Sequence, residues 1–224
     1  MDGKDDRVCS VETWRSLVDQ LTSHQLDELR GTPIECMLEM PIVATQKTLV
    51  RYMVEIYNPK TKRFVVKPKV GEFTASPADV ECIYGLVDRG LSCEEIIDQE
   101  GYNVKVPTKF LNKKTKRIEN DDLISKIVET GITGDDFVRM TGLVLFGTVV
   151  APHNRTSVPK IYYILVQDLE RFKELNLNEF TLNTLMMSVR QVRNGTSVTE
   201  WPMGNTSLLQ VHIIFEDMHP EFFI

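Results

Sequence analysis

At 224 residues, with 42% hydrophobic and 26% charged side chains, the chain has the balance of a soluble globular protein and room for one good-sized domain. Its 26 Lys and Arg stand against 32 Asp and Glu, and the net charge of −6 excludes a global basic field that would draw in nucleic acid. Cys9, Cys36, Cys82 and Cys93 lack CxxC spacing and are too sparse for a disulfide scaffold, which excludes a zinc knuckle and a cystine-rich fold.

The opening "MDGKDDRVCS" is acidic and has no apolar core, so it reads as neither a secretory signal nor a transit peptide. A reducing compartment is expected, nuclear or cytoplasmic, where the sequons at Asn154, Asn194 and Asn205 carry no weight. The first predicted helix is "SVETWRSLVDQL", capped by Ser10, with Trp14, Leu17, Val18 and Leu21 on one face. "SHQLDELRG" follows as a short helix stopped by Gly31, giving an N-terminal helical segment over residues 1–34. A larger helical unit is expected over residues 35–224. Within it Pro41 opens "PIVATQKTLVRYMVEIYNP", where Leu49, Met53, Ile56 and Tyr57 form a helical stripe ended by Asn58-Pro59.

"RFVV" and "EFTA" are β-prone runs around the turn "KPKVG", which predicts a hairpin near residues 63–75 that must pack on helices. Ser76, Pro77 and Asp79 then start a helix, with Val80, Ile83 and Tyr84 inward and Gly85 as its stop. Ser92 with Glu95 is a capping box opening "CEEIIDQEG". Residues 101–119 have little periodicity and read as a long exposed connection. "NDDLISKIVETG" is the next helix, and "GDDFVRMTGLVLFGTVVAP" turns apolar all round, marking central core. Its apolar run is too short to cross a bilayer, so no membrane partner is expected. "IYYILVQDLERFKEL" and "FTLNTLMMSVRQVRNG" predict two further helices, the second lined by Leu182, Leu185, Val189 and Val192. "TSLLQVHIIFEDM" closes the chain as a helix or a buried strand, and no repeat or low-complexity tract is evident. The fold class is mainly α: a compact helical domain with one small β-hairpin, α+β at the margin.

The order of these pieces resembles the plant mobile domain, also labelled aminotransferase-like, and the domains beside Ulp1-type proteases in plant transposons. The likeness rests on "EIYNPKTKRFVV", "GEFTASPADV", "IYGL", "YYILVQDLERFKELNLNEFTLNTL" and "GNTSLLQVHIIFEDM", and runs from about residue 35 to 218. Asn176 to Asn178 depart from it where a tryptophan is common, as do Asn205 for a cysteine and Phe215 for a tyrosine. The resemblance implies a transposon-derived domain with no established catalytic residues and no cofactor.

The residues point the same way. A Ulp1-type protease needs His, Asp and Cys in that chain order, whereas all four cysteines lie at or before residue 93 and His24 is the only histidine that precedes any of them. No Gly-rich phosphate cradle is present, and His212 and His219 around Glu216 and Asp217 lack the spacing of a metal helix. No catalytic, metal or cofactor residues are therefore assigned. Two basic islands stand out, one over residues 60–69 and one over 105–117. Lys60, Lys62, Arg63, Lys67, Lys69, Lys113, Lys114, Lys116 and Arg117 form a candidate nucleic-acid or nuclear-import patch. Tyr162, Tyr163, Phe222 and Phe223 are candidate partner-surface residues. The expected function is a non-enzymatic, transposon-derived protein–protein interaction domain of a plant cell, binding a host protein. The alternatives are a nucleic-acid-binding module using the basic islands, and a toxin or antidote of a selfish genetic element acting on a host protein.

Overall fold

The computed structural model describes residues 11–40, 46–66, 71–153, 156–197 and 199–210. The fold is mainly α with two small antiparallel sheets, as the periodicities predict for all but the second sheet. Helix α1 (Val11–Val18) turns Val11, Trp14, Leu17 and Val18 inward. The Trp14 indole N–H donates to the Met37 carbonyl at 2.9 Å, tying α1 to a 3-10 turn at Glu35–Met37. Helix α2 (Ser23–Glu28) opens on a reciprocal cap in which Thr22 and Gln25 satisfy each other's backbone N–H groups. The Gln25 side-chain amide then reaches the Ile132 carbonyl at 3.0 Å, so this segment belongs to the same core as the rest.

Helix α3 (Lys47–Ile56) buries Val50, Met53 and Val54, with Tyr57 completing the stripe. The buried face is one residue away from the expected one, since Leu49 and Ile56 are only half-buried. Both stripes fit a helical period, and packing on the following sheet and a later helix selects between them. Strands β1 (Tyr57–Asn58), β2 (Arg63–Val66) and β3 (Gly71–Phe73) form an antiparallel sheet in that order, so the expected hairpin has a third strand. Tyr57, Phe64 and Phe73 are in register, and their rings follow one another at 5.1 Å per step.

Helix α4 (Pro77–Tyr84) has its predicted boundaries: the Ser76 N–H and hydroxyl both donate to Asp79 Oδ2, and Gly85 ends it left-handed. Helix α5 (Cys93–Glu100) starts with Ser92 Oγ accepting the Glu95 N–H. The stretch 101–119 is not a plain connection. It holds two 3-10 turns, buries Phe110 and Ile118 completely, and ends in β4 (Ile118–Glu119). These two apolar anchors sit among exposed polar residues without a helical or strand period, so no pattern marks them.

Helices α6 (Asn120–Thr130) and α7 (Asp135–Leu145) pack together, and α7 is buried on nearly every side. It runs on into a single π turn, Phe146–Val150, closed by the Ala151 N–H on the Phe146 carbonyl. Strand β5 (Ser157–Val158) pairs with β4 over this turn, and a methyl group on Gly147 would lie 2.6 Å from Asn120 Oδ1 and Val158 Cγ2. The run "IYYILVQDLERF" is not one helix. It divides into a 3-10 turn, α8 (Tyr163–Gln167) and α9 (Leu169–Phe172), because Asp168 is extended and accepts the N–H groups of Glu170 and Arg171. Helix α10 (Leu177–Arg193) lies against α3, α4 and α5 with Leu182, Leu185 and Val189 buried.

Residues 207–210 are helical, and the remainder of "TSLLQVHIIFEDM" lies outside the described residues. Trp201, Leu208 and Leu209 enter the core. The Tyr84 hydroxyl donates to Asn205 Oδ1 at 3.1 Å, and the Gln46 N–H donates to the Gln210 side-chain oxygen.

Candidate interaction surfaces

The loop between α4 and α5 folds back over the start of α10. Asn178 Nδ2 donates to the carbonyls of Pro77 and Leu86, at 2.8 and 2.6 Å, and Asn176 Nδ2 donates to Asp88 Oδ1 at 2.8 Å. Further on, the Leu91 N–H donates to the Glu174 carbonyl and the Asn176 N–H to the Leu91 carbonyl, one parallel bridge of Leu91 to Leu175. Gly90 makes this approach at φ 116°, where a Cβ would meet the Glu174 oxygen at 2.2 Å.

So pinned, the loop holds Val87 and Leu91 out at 46% and 41% exposure. They are two of five large hydrophobic residues that are exposed among the described residues, and both line one groove of about 530 Å³ with Pro33 and Cys36. Arg89 and Lys173 also line that groove. Asp88, in the same loop, faces an acidic group. The Glu179 carboxyl is raised by its own partial burial and then by the carboxylates of Glu94, Asp88 and Glu95.

The basic islands stand on different sheets. Lys60, Lys62 and Arg63 are exposed at the β1–β2 turn, and Lys113, Lys114, Lys116 and Arg117 are exposed at the turn before β4. Arg63 pairs with Glu72 at 3.3 Å, and Lys109, also in the second island, pairs with Asp136. Lys60, Lys62, Lys113, Lys114, Lys116 and Arg117 have no ion-pair partner among the described residues. Lys67 and Lys69 lie outside them.

Tyr162 and Tyr163, expected at a partner surface, are core residues at 8% exposure each. The Tyr162 hydroxyl donates to the Ala151 carbonyl while its ring meets Phe146 and Phe180; burial, then Cys93 and Glu94, push the phenol up to about 12. The Tyr163 ring packs on Phe110. Residues 162–166 are all buried, so this short stretch runs through the core and has no outward face on which either ring could stand. Phe222 and Phe223 lie outside the described residues. His24 is exposed and sits 3.6 Å from Glu28, and the Cys93 thiol is driven well above its ordinary value by burial, which keeps it protonated. Among the described residues no group of three or more His, Cys, Asp or Glu is placed to hold a metal ion, and no helix is long and apolar enough to cross a membrane.

Nothing in the sequence pattern marks Asn176, Asn178 and Gly90, which shape the groove, as site residues. The only signal was the pair of asparagines standing where the resemblance called for a tryptophan. That resemblance is itself corrected: the family model that matches, over residues 8–210, is a domain of unknown function, DUF8566, and no plant mobile domain family is detected. The likeness rested on caps, stops and core stripes, which any helical domain needs and whose order does not define a family. No curated protein and no solved structure matches the chain.

Proposed function

The chain belongs to the DUF8566 family of unknown function, and we propose that it is a non-enzymatic recognition domain that seats a protein partner on the loop at residues 85–91. The observation that carries this is the rigid display of Val87 and Leu91 on one groove wall. Leaving apolar area in water forgoes about 25 cal/mol per Å², so a loop anchored by four hydrogen bonds, at Leu86, at Asp88 and twice at Leu91, and by a glycine-only conformation is a costly way to keep two such side chains outside. A partner that covers them recovers that area. Because the loop is already ordered, little conformational entropy is lost on binding. The non-enzymatic reading draws support from the burial of Cys93, which keeps the thiol protonated and out of use as a nucleophile.

The test is affinity capture of the tagged chain with and without nuclease, beside Val87→Asp/Leu91→Asp. The expected result is a stoichiometric protein that survives nuclease and is lost from the double variant, whose thermal midpoint is unchanged. Retention of that protein by the variant, or capture dominated by nucleic acid, overturns the reading.

A further inference from the structure

"NPKTKR" at residues 58–63 and "NKKTKR" at 112–117 are the same hexapeptide except at the second position. They also fold alike. In the first, the Asn58 side-chain oxygen accepts the N–H groups of Lys60 and Thr61 at 3.0 and 3.5 Å, and its carbonyl accepts the Lys62 N–H at 2.8 Å. In the second, the Asn112 side-chain oxygen accepts the N–H groups of Lys114 and Thr115 at 2.8 and 2.9 Å, and its carbonyl accepts the Lys116 N–H at 3.0 Å. Lys62 and Lys116 are then left-handed, at φ 59° and 57°, the only non-glycine residues with positive φ among the described residues. Arg63 closes the first turn opposite Asn58 in the sheet register, and the Asn112 N–H closes the second on the Arg117 carbonyl.

The backbone explains the asparagines but not the lysines. An Asn side chain mimics a turn of main chain and fixes the N–H groups two and three residues on. The left-handed position favours glycine, because a β-carbon there crowds the following carbonyl. Both turns nevertheless carry lysine. They crowd further positive charge beside it, and six of these charges, Lys60, Lys62, Lys113, Lys114, Lys116 and Arg117, have no carboxylate partner among the described residues. Like charges so placed repel one another in the free protein. A feature that raises the energy of the free fold, and occurs twice on separate sheets, is explained by a ligand of opposite charge.

We propose that the two turns are paired contact points for the phosphodiester backbone of a nucleic acid. Pro59 is the one apolar side chain in the two hexapeptides and neither holds an aromatic one, too little to form the dry centre of a protein interface. Lysine-dominated, purely electrostatic contact is the chemistry of sequence-independent backbone binding, and two like units suit a ligand made of repeated phosphates. The net charge of −6 makes this a local attraction of the turns rather than a field of the whole molecule. This site is separate from the groove at residues 85–91 and does not depend on it.

The experiment is fluorescence anisotropy of the full chain with a fluorescein-labelled DNA duplex of about 20 base pairs, at stepped salt, where log K falls with log salt by about 0.9 per neutralised phosphate. Lys62→Gly/Lys116→Gly relieves both left-handed positions, so its melting temperature rises while its salt slope shrinks by about 2, one for each lysine lost. Opposite signs in the two readouts separate charge from folding. Lys62→Arg/Lys116→Arg retains the slope, and Val87→Asp/Leu91→Asp leaves duplex binding intact, so this site and the groove fail independently. Absence of salt-dependent binding by the wild type overturns the proposal, as does an unchanged slope in Lys62→Gly/Lys116→Gly. Equal competition by poly-glutamate also overturns it and reassigns the turns to an acidic protein.

Discussion

Gly90 turns left-handed directly against the Glu174 carbonyl oxygen, so its position holds a hydrogen atom where a methyl group does not fit. Gly90→Ala combines backbone strain with a clash against main chain, and the expected loss of stability is on the order of 3 kcal/mol, read from urea denaturation. The same substitution displaces Leu91 and Val87, so binding of the captured partner weakens even in conditions where the variant is folded. None of this is legible around residue 90, where "DRGLS" reads as an ordinary loop; the reason for the glycine stands far along the chain at Glu174. Asn178 is similar, since an asparagine at a helix start reads as a cap while its amide in fact clamps Pro77 and Leu86. The twin hexapeptides were visible as text, but counting charge by island conceals their equality. Their left-handed lysines cannot be read at all, because only glycine and asparagine advertise that conformation.

Single elements were readable in proportion to how local their causes are. Helix α4 has its start box, its first-turn proline and its glycine stop within ten consecutive residues, and the sequence places it correctly. The break between α8 and α9 depends on Asp168 accepting the N–H groups of Glu170 and Arg171, an alternative to helix that a polar residue in a helical pattern does not announce. Strands β4 and β5 are two residues each and meet across a long separation in sequence, too little material for alternation to show. The three-stranded sheet has its aromatic ladder on one face, and Phe64 at its centre is fully buried between Tyr57 and Phe73. Phe64→Ala is expected to cost about 3–5 kcal/mol in chemical denaturation. Phe73→Ala, at the half-buried edge, is expected to cost less, and equal losses would mean that the ladder does not hold the sheet to α3 and α10.

At the scale of the whole molecule a single hydrophobic cluster runs from Val11 to Leu209. The chain is fastened across its length by Trp14 to Met37, Gln25 to Ile132 and Tyr84 to Asn205. Truncation after Glu200 removes Trp201, Leu208 and Leu209 from that cluster and leaves the Tyr84 hydroxyl without Asn205. The expected outcome is loss of the cooperative thermal transition by circular dichroism, and a truncated chain that still melts sharply would show that the closing segment is an appendage. That segment also has a meaning in time. A ribosome adds about 5–20 residues per second, so Tyr84 emerges several seconds before Asn205 exists to accept its hydroxyl. Through that interval the part of the core that Trp201, Leu208 and Leu209 complete is open, and the nascent chain is a natural client for chaperones until they are made.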